Sequence, residues 1–374
     1  MKFVILLPDL GNGGRQKAMF YLYKGLIEKG EVAYLVVTYK FEGYSFLWEE
    51  AERCSITKNI KFLRNRRSFF DKRIPGRGAS LIEIMEFVFK WNVDRKLKRC
   101  IRDILPDFIY GPGYVFKKTL GIRYMYHLDD SLSIFLKRGL AKFFSRMVLR
   151  AEQLELKNAD RVILSSAWYK SYVSHFTQKY SIVYHGCNPA KQIHQEKDLI
   201  TIPKRITSNV ETLLPLLTLL PSHRFCFIGS FSPTSYRDQF VHKLKSLGAT
   251  NYEIHENLSE SKLYELLDRS LIHLGMYPEN LGIYALEGAS RGSIPILPMR
   301  TGALEALLAG REAVSYESGD VNDLKSKILW LLSDSSMMFK LSEAAYKKSQ
   351  QYSWSNFASQ ILELSMQMSI ASTE

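Results

Sequence analysis

The sequence predicts an α/β protein built from two doubly wound domains. Three observations carry this. A short apolar run, Lys2–Leu7 (KFVILL), passes straight into the glycine-rich loop PDLGNGG, as a strand buried on both faces does when it feeds a helix. The same strand–helix alternation resumes between residues 224 and 315, after the polar stretch 187–200 (CNPAKQIHQEKDLI). The chain has 374 residues, more than one hydrophobic core ordinarily serves.

The elements follow in order. After the loop, Ala18, Met19, Leu22, Leu26 and Ile27 recur at helical spacing within 15–29, and Val32–Val37 (VAYLVV) is the next strand. Strand, glycine-rich turn, helix, strand is how a doubly wound domain opens. Residues 40–80 read as irregular and basic, 81–103 as helical, Phe108–Tyr110 and Ile122–Tyr126 as strands, and 132–158 as a long helix. Arg161–Leu164 and Ser181–Tyr184 read as strands flanking a helix at 167–176. The second alternation has strands at 224–228, 252–254, 272–274, 294–297 and 313–315. Helices fill the gaps, and Pro215 should break the first of them. Three helical patterns close the chain. The expected division is 1–186 together with a C-terminal helix at 353–374, and 187–352.

Composition narrows the function classes. Hydrophobic residues are 46% and charged residues 24%, yet no apolar run reaches the roughly 20 residues of a membrane-spanning helix. The first residues lack a cleavage site and read as a strand, so the expected location is the cytoplasm. Cys54, Cys100, Cys187 and Cys226 are scattered, without the spacing of a zinc or redox motif. The net charge of +13 is unevenly held. Residues 1–186 carry 33 Lys+Arg against 18 Asp+Glu, and residues 187–374 carry 18 against 20. Such asymmetry suits an anionic partner for the N-terminal half. Its basic residues are interleaved with aromatics: Lys61, Arg64, Arg66, Arg67, Phe69, Phe70, Lys72 and Arg73. A second stretch, Ile134–Arg150, is basic and amphipathic. Both suit an anionic membrane surface, which would make the protein peripheral at the inner membrane face. The bland alternative is a solvated face over an ordinary core helix.

The segment with the most chemistry is Pro278–Glu287, PENLGIYALE. Glu279 falls in the loop after a strand, Gly282 opens a helix, and Glu287 lies about a turn inside it. Backbone N–H groups near Gly282 and Ile283 would meet an anion such as a diphosphate. An ionised Glu287, acceptor-only, suits a ribose diol. On spacing alone, two surface carboxylates explain the pair equally well.

The longer stretch PENLGIYALEGASRGSIPILPMRTGALEAL resembles the donor-binding signature of family-four retaining glycosyltransferases, which have the two-domain GT-B fold. Glu279, Gly282, Leu286, Glu287 and Gly292 fall in register, and Gly302 and Glu305 serve as the later Gly…Glu pair. Pro295 comes one residue late, Gly288 and Ser290 replace alanines, and Asn280-Leu281 replaces Gly-Phe. Further elements are similar in order: the LGNGG loop with Gly13 and Gly14, His127 after a strand, Ala159–Ile163 followed by two serines, and His185-Gly186-Cys187-Asn188 in place of Asn-Gly-x-Asp. Ile228-Gly229 and Tyr352-Ser353-Trp354 complete the series. The family's Arg…Lys pair is incomplete. Arg205 stands for the Arg, but no Lys follows it at the usual spacing; Lys204 is adjacent instead.

The resemblance implies two Rossmann-like domains facing each other across a cleft, with the last helix crossing back to the first domain. It implies sugar transfer with retention from a UDP- or GDP-sugar to a glycan or lipid-linked acceptor, in cell-surface polysaccharide or glycoconjugate synthesis. Gly13, Gly14, Arg205, Gly229, Gly282, Ile283 and Glu287 would hold the donor, Glu279 and His127 would act on the sugar, and the N-terminal half would take the acceptor. No spaced Asp-x-Asp follows a suitable strand, since Asp129-Asp130 are adjacent, so neither metal nor cofactor is expected. Two other classes remain: a nucleic-acid-binding or DNA-modifying transferase, for which no motif is present, and a donor-impaired partner subunit, suggested by the missing Lys.

Overall fold

The computed structural model describes residues 1–11, 13–40, 45–64, 91–111, 121–128, 149–150, 152–194, 196–203, 206–231, 234–276 and 278–370. They divide into two compact units, Met1–Tyr184 with Trp354–Glu374, and His185–Ser353.

In the first unit the strands are β1 Lys2–Leu7, β2 Val32–Tyr39, β3 Ile60–Arg64, β4 Phe108–Gly111, β5 Arg123–Leu128, β6 Arg161–Leu164 and β7 Tyr180–Ile182. Among the described residues they form one parallel sheet in the order β3-β2-β1-β4-β5-β6-β7. The order reverses between β1 and β4, which makes the carboxyl end of β1 the switch point of a doubly wound sheet. Helices α1 Gly14–Glu28, α2 Phe46–Arg53, α3 Trp91–Ile104 and the short α4 Lys170–Ser174 lie between strands. The apolar run of β1 explains its place. Phe3 to Leu7 are all buried, and each such side chain contributes about 1.5–3 kcal/mol by leaving water. Successive residues serve opposite faces: Val4 and Leu6 join Ile109, Tyr124 and Tyr126, while Phe3 stacks on Phe108 with ring centroids 5.5 Å apart.

In the second unit the strands are β8 Leu199–Pro203, β9 Arg224–Ile228, β10 Tyr252–His255, β11 Ser270–Leu274, β12 Ile294–Pro298 and β13 Val314–Tyr316, parallel in the order β10-β9-β8-β11-β12-β13. The helices are α5 Pro215–Leu219, α6 Tyr236–Ser246, α7 Glu260–Asp268, α8 Ile283–Ala289, α9 Ala303–Ala306, α10 Val321–Leu332 and α11 Ser335–Ser349. The last helix, α12 Trp354–Ile370, belongs to the first unit, as the sequence leads one to expect. Trp354 stacks on Tyr21 of α1 at 4.8 Å. Gly25 of α1 lets the helices close, because a Cβ there would stand 2.7 Å from the Ala358 Cβ.

Two local readings need correction. Residues 40–80 are not wholly irregular: they contain α2, whose N-cap Ser45 side chain accepts from the Trp48 N–H, and β3, which pairs with β2. The polar stretch 187–200 does not run as a linker to its end. It enters β8, an inner strand of the second sheet, and its residues are tied down. Ile193 packs on Gly292, the Tyr346 hydroxyl donates to the Ala190 carbonyl, and Lys197 Nζ donates to the carbonyls of Asp268, Ser270 and Arg291. The run 210–220 splits as its proline requires, into a 3₁₀ segment at Ser208–Leu213 and α5 with Pro215 in its first turn. Of the long helix expected at 132–158, residues 149–150 and 152–158 are helical, and 132–148 lie outside the described residues.

Candidate donor site

The site of the second unit grows from the carboxyl ends of β11 and β12. Gly275 follows β11, and its N–H donates to Ile296 O (2.9 Å) across the sheet. The Tyr316 hydroxyl of β13 lies 3.0 Å from the Gly275 carbonyl and 3.2 Å from that of Met276, fixing the start of the loop. The Glu279 backbone is held on both sides. Its N–H donates to Thr301 Oγ1 (3.1 Å), and its carbonyl accepts from Thr301 Oγ1 (3.0 Å) and the Gly302 N–H (2.8 Å). Residues 279 and 301, far apart in sequence, thus behave as one clamp. Gly282 caps α8 at φ +67°, a left-handed conformation that favours glycine. A Cβ there would also come within 3.1 Å of the Glu279 Oε2, so the carboxylate rests against the bare glycine. A small pocket, open to solvent, is lined here by Met276, Glu279, Gly282, Pro298, Thr301 and Ala303 among others.

Glu279 and Gly282 therefore share one pocket wall. Ile283 and Glu287 are not part of that lining. Both are buried, Glu287 at 3% exposure. The Glu287 carboxylate is close enough to Tyr264 of α7 to act on it: burial and then this charge push the Tyr264 phenol well above its ordinary range. The Tyr264 hydroxyl donates to Glu260 Oε1 (2.8 Å) and accepts from Asn188 Nδ2 (3.0 Å). This explains one departure in the sequence, since an Asn amide at 188 donates to a hydroxyl already turned toward Glu260, and an ionised Asp has no proton to give.

A second departure has a physical cause too. His273 of β11 is buried, and burial pushes its imidazole down to about 3, so it is neutral at physiological pH. Its ring fills the space beside α8: a Cβ on Gly288 would stand 2.7 Å from His273 Nδ1 and 2.9 Å from Cγ. Glycine replaces alanine at 288 because a histidine occupies the strand beneath. Thr201, Ser270 and Ser293 extend a polar row below it, with Oγ1···Oγ 2.7 Å and Oγ···Oγ 2.8 Å, and His273 Nδ1 lies 3.5 Å from Thr201 Oγ1.

The remaining candidates are placed as follows. Gly229 follows β9 at φ +153°, and its N–H donates to the His255 carbonyl (2.9 Å). In the first unit, Gly13 caps α1 and Gly14 is its first residue. Asp9 shapes the loop before them, its Oδ1 accepting from the Gly11 N–H (2.8 Å) and Gln16 Nε2 (3.1 Å). His127 is the penultimate residue of β5, buried at 2% exposure, with Nδ1 against the Tyr110 hydroxyl. Arg64 ends β3. Lys204, Arg205, Arg66, Arg67 and Arg73 lie outside the described residues, as does most of Ile134–Arg150. Among the described residues, no helix is long and apolar enough to cross a membrane. Thr301, Tyr316, His273 and Tyr264 were not legible as site residues. A polar residue just before Gly302 was the one available signal, for Thr301.

Residues 188–348 match the family described as Glycosyl transferases group 1. That span holds the whole Glu279–Gly302 clamp and stops short of α12. The whole chain is similar in structure to known proteins of low sequence identity. For the sucrose-phosphate synthase of Thermosynechococcus elongatus the TM-score is 0.79 at 14% identity, covering 99% of this chain and 100% of that one. Anabaena Alr3699/HepE in complex with UDP-glucose gives 0.73 at 16%, covering 97% and 99%. WaaG, a glycosyltransferase involved in lipopolysaccharide biosynthesis, gives 0.70 at 12%, covering 97% and 99%. The fold is GT-B. No curated protein matches the chain by sequence.

Proposed function

We propose that the protein is a retaining glycosyltransferase that moves a sugar from a UDP- or GDP-sugar to a glycan or lipid-linked acceptor in the synthesis of cell-surface polysaccharide or glycoconjugate. The observation that carries this reading is the Glu279 loop. A carboxylate set against a left-handed glycine, with its backbone fixed by Thr301 and Gly302, opens onto a pocket inside the segment that matches the transferase family. That HepE is described in complex with UDP-glucose supports trying uridine nucleotides first.

In this reading the leaving diphosphate and the acceptor stay on the same face of the sugar, through an oxocarbenium-like transition state. Glu279 holds sugar hydroxyls or stabilises positive charge at the anomeric carbon. Glu287 takes the ribose, and backbone N–H groups at Gly13, Gly14, Gly282 and Ile283, with Arg205, offset charge on the departing diphosphate. Removing one such preorganised donor costs on the order of 3–4 kcal/mol in the transition state. His127 contacts the donor sugar, a role it takes from the family resemblance. The basic residues Arg64, Arg66, Arg67 and Arg73 face an anionic membrane that carries the acceptor, and the chemistry needs no metal.

The test is nucleotide release across common UDP- and GDP-sugars, with and without lipid-linked acceptors. Glu279→Gln should lower turnover far more than donor affinity, since its role grows as charge develops. Glu287→Ala should weaken donor binding with the fold retained. A wild-type protein that neither binds nor cleaves any of these donors overturns the assignment.

A further inference from the structure

Away from the pocket, β9 and β10 bring together three side chains of different chemistry. Cys226, Glu253 and His255 place their ligand atoms within 4.8 Å of one another. The register explains this: Glu253 lies opposite Cys226, and His255 follows two residues on, so all three share one face. That face carries Leu199, Ile228 and Leu266 around Cys226. β10 is the edge strand of its sheet, so Glu253 and His255 reach solvent while Cys226 is fully buried.

The carboxylate is only half satisfied. Glu253 Oε2 has His255 Nε2 at 3.1 Å and Arg224 Nη2 at 3.9 Å. Oε1 is buried and outside strict hydrogen-bonding geometry; the Cys226 thiol beside the carboxylate is held protonated, pushed well above its ordinary range by burial and then by the Glu253 charge and hydrogen bond. A buried acceptor left so is costly unless something cationic or donating meets it. The neighbouring guanidiniums do not serve, because Asp198 engages them: Arg224 Nη1 lies 3.0 Å from its Oδ2, and Arg269 donates to both its oxygens at 3.0 and 2.6 Å.

We propose that Cys226, Glu253 and His255 form a binding site for Zn²⁺. Thiolate, imidazole and carboxylate are the ligand types a borderline-soft, tetrahedral divalent ion takes. Binding displaces the thiol proton to solvent, Cys–SH plus Zn²⁺ giving Cys–S–Zn⁺ and H⁺. Thiolate and carboxylate then neutralise the ion's two charges, so a partly buried site carries no net charge. With bonds of about 2.0–2.3 Å, tetrahedral ligand atoms sit roughly 3.3–3.8 Å apart; rotation of the two edge side chains, Glu253 and His255, closes the remaining distance. The fourth position faces solvent at the strand edge and takes water. The His255 carbonyl already holds the Gly229 N–H, so an ion here braces the strand end at Gly229. It is a bracing ion, separate from the transfer chemistry, and does not depend on the proposed donor.

The experiment uses the full chain without a histidine tag, stripped by chelator and dialysed. Zn²⁺ content after re-addition should be one ion per chain, and Co²⁺ as a probe should give a thiolate-to-cobalt absorption band in the near ultraviolet. Cys226→Ala should abolish the band, His255→Ala should lower Zn²⁺ affinity at least tenfold, and Glu253→Gln should weaken it. Should Cys226→Ala fail to fold by circular dichroism, the partly exposed His255 variant decides the matter. No stoichiometric ion in the wild type, or equal binding in all three variants, overturns the proposal.

Discussion

Adding one methyl group at position 288 tests how the second unit is packed under its candidate site. In Gly288→Ala the new Cβ would stand 2.7 Å from His273 Nδ1, 2.9 Å from Cγ and 3.2 Å from Cβ. The ring has little room to retreat, being 2% exposed, with its Nδ1 already 3.5 Å from Thr201 Oγ1. Overpacking of this kind costs about 1–3 kcal/mol. Against it stands the helical gain of Ala over Gly, about 0.8–1.0 kcal/mol. The net effect is a loss of roughly 0–2 kcal/mol. In a His273→Ala background most of the opposing atoms are gone, and the same substitution should stabilise by about 0.5–1 kcal/mol. The coupling energy between the two positions is therefore about 1–3 kcal/mol. Urea unfolding of wild type, both single variants and the double variant, followed by circular dichroism, measures it. If Gly288→Ala stabilises the wild type as much as it stabilises His273→Ala, steric exclusion by the imidazole is not why glycine stands at 288.

Three other outcomes can be measured. Thr301→Val removes the hydroxyl that bridges the Glu279 N–H and carbonyl; leaving that N–H without a partner costs about 1–3 kcal/mol, and turnover should fall while the melting temperature of the first unit stays put, as differential calorimetry would reveal. His273 binds its proton only near pH 3 when folded but near 6.5 when unfolded, so the unfolded chain holds the extra proton between those values and stability falls as pH drops through that window. From pH 6.5 to 5 the loss attributable to this group is on the order of 1–2 kcal/mol, and His273→Gln should flatten that part of a stability-versus-pH curve; an unchanged slope would remove the histidine as its source. Neutralising Arg64, Arg66, Arg67 and Arg73 together should reduce co-sedimentation with anionic vesicles, at about 1 kcal/mol per cation, and 1 M salt should do the same to the wild type; equal pelleting of both proteins with neutral and anionic lipid would assign the basic half to another partner.

Local pattern determined much of this protein. The apolar run of β1, the glycine loop after it and the helical spacing of α1 are written within residues 2–29. Gly282, three residues past Glu279, marks the left-handed turn that sets that carboxylate on the pocket wall. Such features depend on neighbours a few residues apart, which is the range over which periodicity and backbone preference act. Tertiary contact decided the rest. β8 hid in a polar stretch because Thr201 alternates with Ile200 and Ile202, and its burial makes sense only once Ser270 lies across from it. Thr301 became part of the Glu279 loop, Gly288 answered to His273, and Asn188 to Tyr264, each through partners brought close by strand register or helix packing. Cys226, Glu253 and His255 have no motif spacing, yet parallel pairing of β9 with β10 places them on one face. Hydrogen bonds and steric contacts between distant segments leave no period in the sequence, so only the folded chain assigns those residues their partners.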